Sequence, residues 1–147
     1  METTLPLDNR KIAEYYRREC ISQAHKKIAE FIKAEGHQIQ NELIFPHYVK
    51  KFNPLSVDFM ILDLNCLVEI DGASHENRKQ KDLDKRLHIL KIAKEYEQTP
   101  KYINQPLDIP ADLIYGHLQG KKREAVKAKY LQFLKNISES ILIQAKL

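Results

Sequence analysis

The sequence has no tryptophan, two cysteines, four glycines and six prolines among its 147 residues. Cys20 and Cys66 lie in no Cys-x-x-Cys spacing, which argues against a disulfide framework and a thiolate zinc site and fits a reducing, cytoplasmic setting. So few glycines and prolines leave little room for linkers. With no repeat or low-complexity stretch either, residues 1–147 read as one domain. No apolar run approaches the roughly 18 residues of a membrane span, and Met1 to Pro6 carries neither a basic nor an apolar leader region, so no secretory signal is expected. A strong excess of one charge is missing too. The 24 Lys and Arg against 20 Asp and Glu give a net charge of +4, which permits an anionic partner without requiring one. What is present is ordinary for a folded chain: 43% hydrophobic and 30% charged residues, enough to build a core without staples.

The periodicity changes along the chain. Ile12, Tyr16, Cys20, Ile21, Ala24, Ile28, Phe31 and Ile32 recur at three- and four-residue steps, predicting a helix from Asn9 to about Glu35 with Gly36 as its stop. Strands are expected over 38–45, 57–62 and 66–70, the last two as an antiparallel hairpin around Asp63-Leu64-Asn65, with residues 46–56 as a loop. A helix is expected from about Glu76 to Tyr96, packing Leu83, Leu87 and Leu90 on the sheet, then a strand over 101–107. A last helix from about Lys122 to Gln144 turns Val126, Tyr130, Phe133, Ile137 and Ile141 inward. The order αβββαβα is an α+β pattern with a small sheet: a core over about 22–107 and a helical extension over about 121–147, which reads as a packing or homodimerisation helix.

Chemistry concentrates between Val57 and Asp84. Glu69 and Asp71 share one side of their strand, and Asp58 lies on the neighbouring strand between core-facing Val57 and Phe59. Carboxylates within apolar strands are costly unless paired or bound to a cation. Opposed positions of an antiparallel pair stand about 4.5–5.5 Å apart at Cβ, a spacing that suits a hard divalent ion such as Mg²⁺. The plainer reading is that these acids are surface charges balanced by the many lysines. A shared site requires opposed residue numbers to sum to an odd value, 127 or 129, and hence a hairpin loop of even length or a bulge.

Val57-Asp58-Phe59, then Val68-Glu69-Ile70-Asp71-Gly72-x-x-His75, then Asp82-x-x-Lys85-x-x-x-Ile89, with Ser22-Gln23-Ala24-His25-Lys26-Lys27-Ile28 upstream, resembles the PD-(D/E)XK nuclease superfamily. The branch it is most similar to is the one related to the very-short-patch repair endonuclease. The resemblance covers about residues 22–90 and implies a restriction-endonuclease-like αβββαβ core with a small mixed sheet flanked by helices. It implies Asp58, Glu69 and the Ile70 carbonyl as ligands of Mg²⁺ or Mn²⁺. Asp71 stands at the position where many members have a lysine, and His75 is a general base or leaving-group partner. Arg78, Lys79, Lys81 and Lys85 follow closely enough in sequence to contact the phosphate as a group, although each alone reads as part of a solvated helix face; the activity that the resemblance implies is hydrolysis of nucleic acid, DNA first. His25 stands where the first helix usually carries a glutamate, and is an accessory candidate; Lys85 stands in place of an arginine.

Two other readings remain open at this point: a nuclease-fold module that binds DNA or RNA without cutting, and a partner-binding α+β domain with surface acids. Tyr15, Tyr16, Arg17 and Arg18 form an aromatic and basic cluster that could stack on bases, although the tyrosines also fit the buried stripe of the first helix. Lys121, Lys122, Arg123, Lys127 and Lys129 add a basic face to the last helix. His37, His47, His88 and His117 have no ligand-like spacing and read as surface or loop positions. Removal of Asp58 or Glu69 is expected to leave the fold intact or more stable, since mutually repelling carboxylates would be separated.

Overall fold

The computed structural model describes residues 9–45, 55–71, 87, 90–91 and 100–147. Its elements are α1 (Asn9–Ala34), β1 (Ile39–Phe45), β2 (Leu55–Ile61), β3 (Cys66–Asp71), β4 (Lys101–Pro106) and α2 (Gly120–Ala145), with 3₁₀ turns at Leu62–Leu64 and Ala111–Leu113. The strands form one mixed sheet in the order β1-β2-β3-β4. β1 and β3 both run antiparallel to β2, and β4 runs parallel to β3. The chain is therefore α+β, as the alternation of periods predicts. A parallel neighbour demands a crossover, which runs through residues 72–100. Within it Leu87, Leu90 and Lys91 are helical, in agreement with a helix there; the rest of the expected 76–96 segment lies outside the described residues.

The core lies on one face of the sheet. α1 ends where Gly36 adopts a positive φ of 99°, a conformation glycine takes without penalty. Upstream of it, Cys20, Ala24, Ile28 and Ile32 form a fully buried stripe. They pack with Tyr130, Leu134 and Ile141 of α2 over Phe59, Ile61, Cys66, Val68 and Ile103 of the sheet. The Tyr130 hydroxyl donates to the Cys20 carbonyl at 2.6 Å, tying the two helices together, and burial pushes that phenol well above its usual pKa. The Lys101 ammonium donates to the carbonyls of Ala145, at 2.7 Å, and Leu147, which fixes the end of α2 to the start of β4. A cation there also complements the negative end of the helix dipole. The apolar side of α2 is thus covered by its own chain.

Three expectations are corrected. Leu87 is 56% exposed, so it does not pack on the sheet, whereas Leu90 is half-buried. The two are about 60° apart around a helix, and the contact stripe is narrow enough to leave Leu87 outside it. Tyr15 is 59% exposed while Tyr16 is half-buried; adjacent residues on a helix diverge by about 100°, so the stripe admits only one. His37 is not a plain surface residue. Its Nδ1–H donates to Asp63 Oδ2 at 2.6 Å, and Asp63 Oδ1 accepts the Gln38 N–H at 2.9 Å, which clamps the end of α1 to the β2–β3 turn. Val126 and Phe133 are only partly buried at the rim of the core.

Ile28→Ala should destabilise the fold by about 2–5 kcal/mol in urea titrations, since it opens a cavity in the centre of the core. Leu87→Ala should stay within about 0.5 kcal/mol of wild type. The hydrogen bond from His37, then that from the Gln38 N–H, hold the Asp63 carboxyl below its ordinary pKa. A carboxyl lowered on folding stabilises the protein above the unfolded value of about 3.9 and ceases to as pH falls through the lowered folded value. The stability difference between wild type and Asp63→Asn, measured by denaturation across pH, should therefore be full above about pH 4 and close below it.

Candidate metal centre

The β2–β3 hairpin settles which side chains share a face. Ile61 pairs with Cys66, Met60 with Leu67 and Phe59 with Val68, a constant sum of 127. The loop is Leu62 to Asn65, four residues and therefore even, and it closes through Asn65 in the left-handed region at φ 48° with its N–H bonded to the Leu62 carbonyl. Asparagine tolerates that conformation better than most residues. Carried one step further, this register would bring Asp58 and Glu69 to opposed positions, the odd sum that a shared site requires. Sequence reasoning anticipated this parity.

The ladder stops at Phe59 and Val68, and the two strands fork. Continued pairing would have matched Ile70 with Val57. Instead the Ile70 N–H donates to Asp58 Oδ2 at 2.6 Å. The carboxylate thus takes the place of a backbone acceptor at the mouth of the fork, while the other side of β3 remains paired with β4, Glu69 against Asn104 and Ile70 against Gln105. Across that parallel pair, Tyr102 stands beside Leu67 and on the face of Glu69, and its hydroxyl donates to Glu69 Oε2. Tyr102 is 8% exposed, so Glu69 is held by a rigid, buried donor.

His25 approaches from α1. Its Nδ1 lies 3.4 Å from Asp58 Oδ1, long for a direct hydrogen bond but within ion-pair range when the ring is protonated. Its Nε2 is buried and has no hydrogen-bond partner among the described residues. Buried polar atoms are normally partnered, so this nitrogen marks a place where a further donor or acceptor fits. His25 occupies the helix position at which the family resemblance expects a glutamate, and the structure brings that position to Asp58.

The arrangement offers two oxygen ligands of the kind that hard cations prefer, with one oxygen of each already oriented by a hydrogen bond. Among the described residues no three His, Cys, Asp or Glu side chains converge on one point. The side chain of Asp71 and the whole of His75, Arg78, Lys79, Lys81 and Lys85 lie outside the described residues. Carboxylate oxygens are donors of the kind that Mg²⁺ and Mn²⁺ prefer. Tyr102 was missed by sequence reasoning because its partner is 33 positions away. The usable signal was a tyrosine in a strand parallel to the acid-bearing one.

The fork gives Asp58 a structural duty that charge repulsion alone does not capture. Asp58→Ala should cost about 1–3 kcal/mol in chemical denaturation, because the Ile70 N–H loses its acceptor. Asp58→Asn, which keeps an oxygen at that place, should lose less than half as much. Equal stability of both variants with wild type would show that the fork does not depend on this bond.

No protein-family model, curated protein or solved structure matches the chain.

Proposed function

We propose that the chain is a metal-dependent nuclease that hydrolyses phosphodiester bonds of nucleic acid, with DNA as the first candidate substrate. The observation that carries this reading is the placement of Asp58 and Glu69 on the two arms of a strand fork, each with one oxygen hydrogen-bonded to a neighbour. The mixed sheet supports it, since three antiparallel strands followed by a crossover to a parallel fourth agree with the αβββαβ order that the PD-(D/E)XK resemblance implies.

In this reading Asp58, Glu69 and the Ile70 carbonyl hold Mg²⁺ or Mn²⁺. Bound there, the ion polarises a phosphoryl oxygen and makes water acidic enough to attack at neutral pH. The chain's own residues do the rest. Tyr102 donates to one oxygen of Glu69 and so orients that carboxylate before any ion binds. His75 or Asp71, four residues before it, orients the attacking water or takes its proton, work suited to an imidazole or a carboxylate. Arg78, Lys79, Lys81 and Lys85 offset the charge that grows on the phosphoryl oxygens.

His25 favours a second reading, in which the fold binds nucleic acid without cutting it. The His25 Nδ1 lies 3.4 Å from Asp58 Oδ1, so the ring takes up one side of that carboxylate in the place of a cation.

Incubation of the protein with plasmid, single-stranded DNA and RNA, each with Mg²⁺, Mn²⁺ or EDTA, separates the two. The nuclease reading expects metal-dependent cleavage that EDTA stops and that Asp58→Asn and Glu69→Gln abolish. His75→Ala should slow it by roughly 10²–10⁴-fold, the usual worth of a general base. Absence of cleavage under every condition, with no shift of melting temperature on adding either metal, would replace the enzyme by the binding module. His25→Glu should then restore the metal-induced shift if the remaining ligands are whole.

A further inference from the structure

Away from the carboxylates, the first half of α1 meets the segment before α2 in a groove of about 450 Å³ lined by Lys11, Ile12, Tyr15, Tyr16 and His117. That volume lies in the range that accommodates small planar ligands. Tyr16 forms its floor. Its ring presses on Gly116 so closely that a Cβ there would come within 2.3 Å of Tyr16 Cδ1, and it lies 5.7 Å from the His117 ring. Tyr15 meets Tyr16 edge-on, at 5.1 Å and 82°, and keeps most of its own ring open to solvent. Glu19, first by its charge and then by a hydrogen bond, raises the pKa of the Tyr15 phenol, which places the ring beside that carboxylate.

A second pocket neighbours the groove: its lining includes Gly116, next to His117 in sequence, and Glu19, one helical turn from Tyr15. Arg123 and Lys127 line this second pocket. Both stand over the Tyr115 ring, 5.9 and 6.0 Å from its centre, and these cation–π contacts hold their positions. Arg123 also borders a third depression at the start of α2 with Lys121 and Glu124. The first turn of α2 has no acidic residue and instead carries Lys121, Lys122 and Arg123, an arrangement the helix dipole disfavours and that an anion would relieve. Along the whole path Lys11, Lys121, Arg123 and Lys127 outnumber Glu19 and Glu124. Arg17 and Arg18, by contrast, are committed to Asp108 and Glu14.

An exposed aromatic ring beside a line of fixed cations is the pattern that holds an unstacked base and its phosphates. We propose that this groove binds single-stranded nucleic acid, with one base on Tyr15, flanked by His117, and the adjoining phosphates on Arg123 and Lys127. Tyr15 precedes His25 by ten residues on α1, about 15 Å along the axis, so a strand of about four nucleotides at stacked spacing spans from this groove to the carboxylates. The assignment shares with the nuclease reading only the class of ligand and does not depend on cleavage.

The test is binding of fluorescein-labelled oligothymidylate and of a hairpin duplex of equal length, read by anisotropy in EDTA so that affinity is measured whether or not the chain cuts. The single strand should bind more tightly than the duplex. Tyr15→Ala should weaken it by about 5- to 150-fold, the usual worth of one stacked base. Lys127→Gln should weaken binding and lower its salt dependence by about one phosphate contact. With no tryptophan in the chain, tyrosine emission is directly visible; oligothymidylate should quench it, and Tyr15→Ala should lose that quench. Equal affinity for duplex and single strand, or unchanged binding by Tyr15→Ala with its melting temperature intact, overturns the proposal. So does concentration-dependent dimerisation that Tyr15→Ala abolishes, because the groove would then be occupied by a second copy.

Discussion

The fork between β2 and β3 depends on one bond, from the Ile70 N–H to the Asp58 carboxylate. Two antiparallel strands that begin in register normally continue pairing, because every unpaired backbone group is costly away from water. Here the ladder ends after Phe59 and Val68, and the donor left behind is taken by a side chain. The consequence is geometric. One oxygen of Asp58 is fixed within the sheet, its partner oxygen is turned toward His25, and Glu69 stands on the strand across the fork. On the far side, β4 contributes Tyr102, which holds Glu69 through a buried hydroxyl. A sheet of only four strands thus gathers groups from three of them and from α1.

How far this was legible in the sequence follows from the range of each interaction. The stripe of Cys20, Ala24, Ile28 and Ile32 and the alternation Val57, Phe59, Ile61 are local periodicities, and both emerge as buried faces. The even length of the hairpin loop followed from parity alone, and the four residues Leu62 to Asn65 supply it. Pairings across long stretches of chain were not legible. Nothing local links His37 to Asp63, 26 residues apart, or Tyr102 to Glu69. The stripe also misleads at its edges, as Tyr15 and Leu87 show: period alone does not reveal how wide a contact the neighbouring layer makes. The strand expected over 101–107 pairs in parallel with β3 from Lys101 to Pro106.

The proposed function joins these features to two basic surfaces of different origin. The cations that follow β3 in sequence are assigned to the phosphate at the carboxylates. Those at the start of α2 are brought by the fold to the aromatic end of α1, where Tyr115 holds Arg123 and Lys127. In sequence these basic residues look like solvated helix faces. Their placement beside an open tyrosine gives the second group a direction, and α1 connects it to the fork.

The central claim is that Asp58 and Glu69 share one cation. Anomalous diffraction from crystals soaked in Mn²⁺ measures this most directly. The account predicts a manganese peak within bonding distance of one oxygen from each carboxylate, about 2.0–2.3 Å for a hard divalent ion, with Tyr102 still donating to the second oxygen of Glu69. A manganese-free fork at saturating metal, with the His25 ring seated against Asp58 in its place, would contradict it.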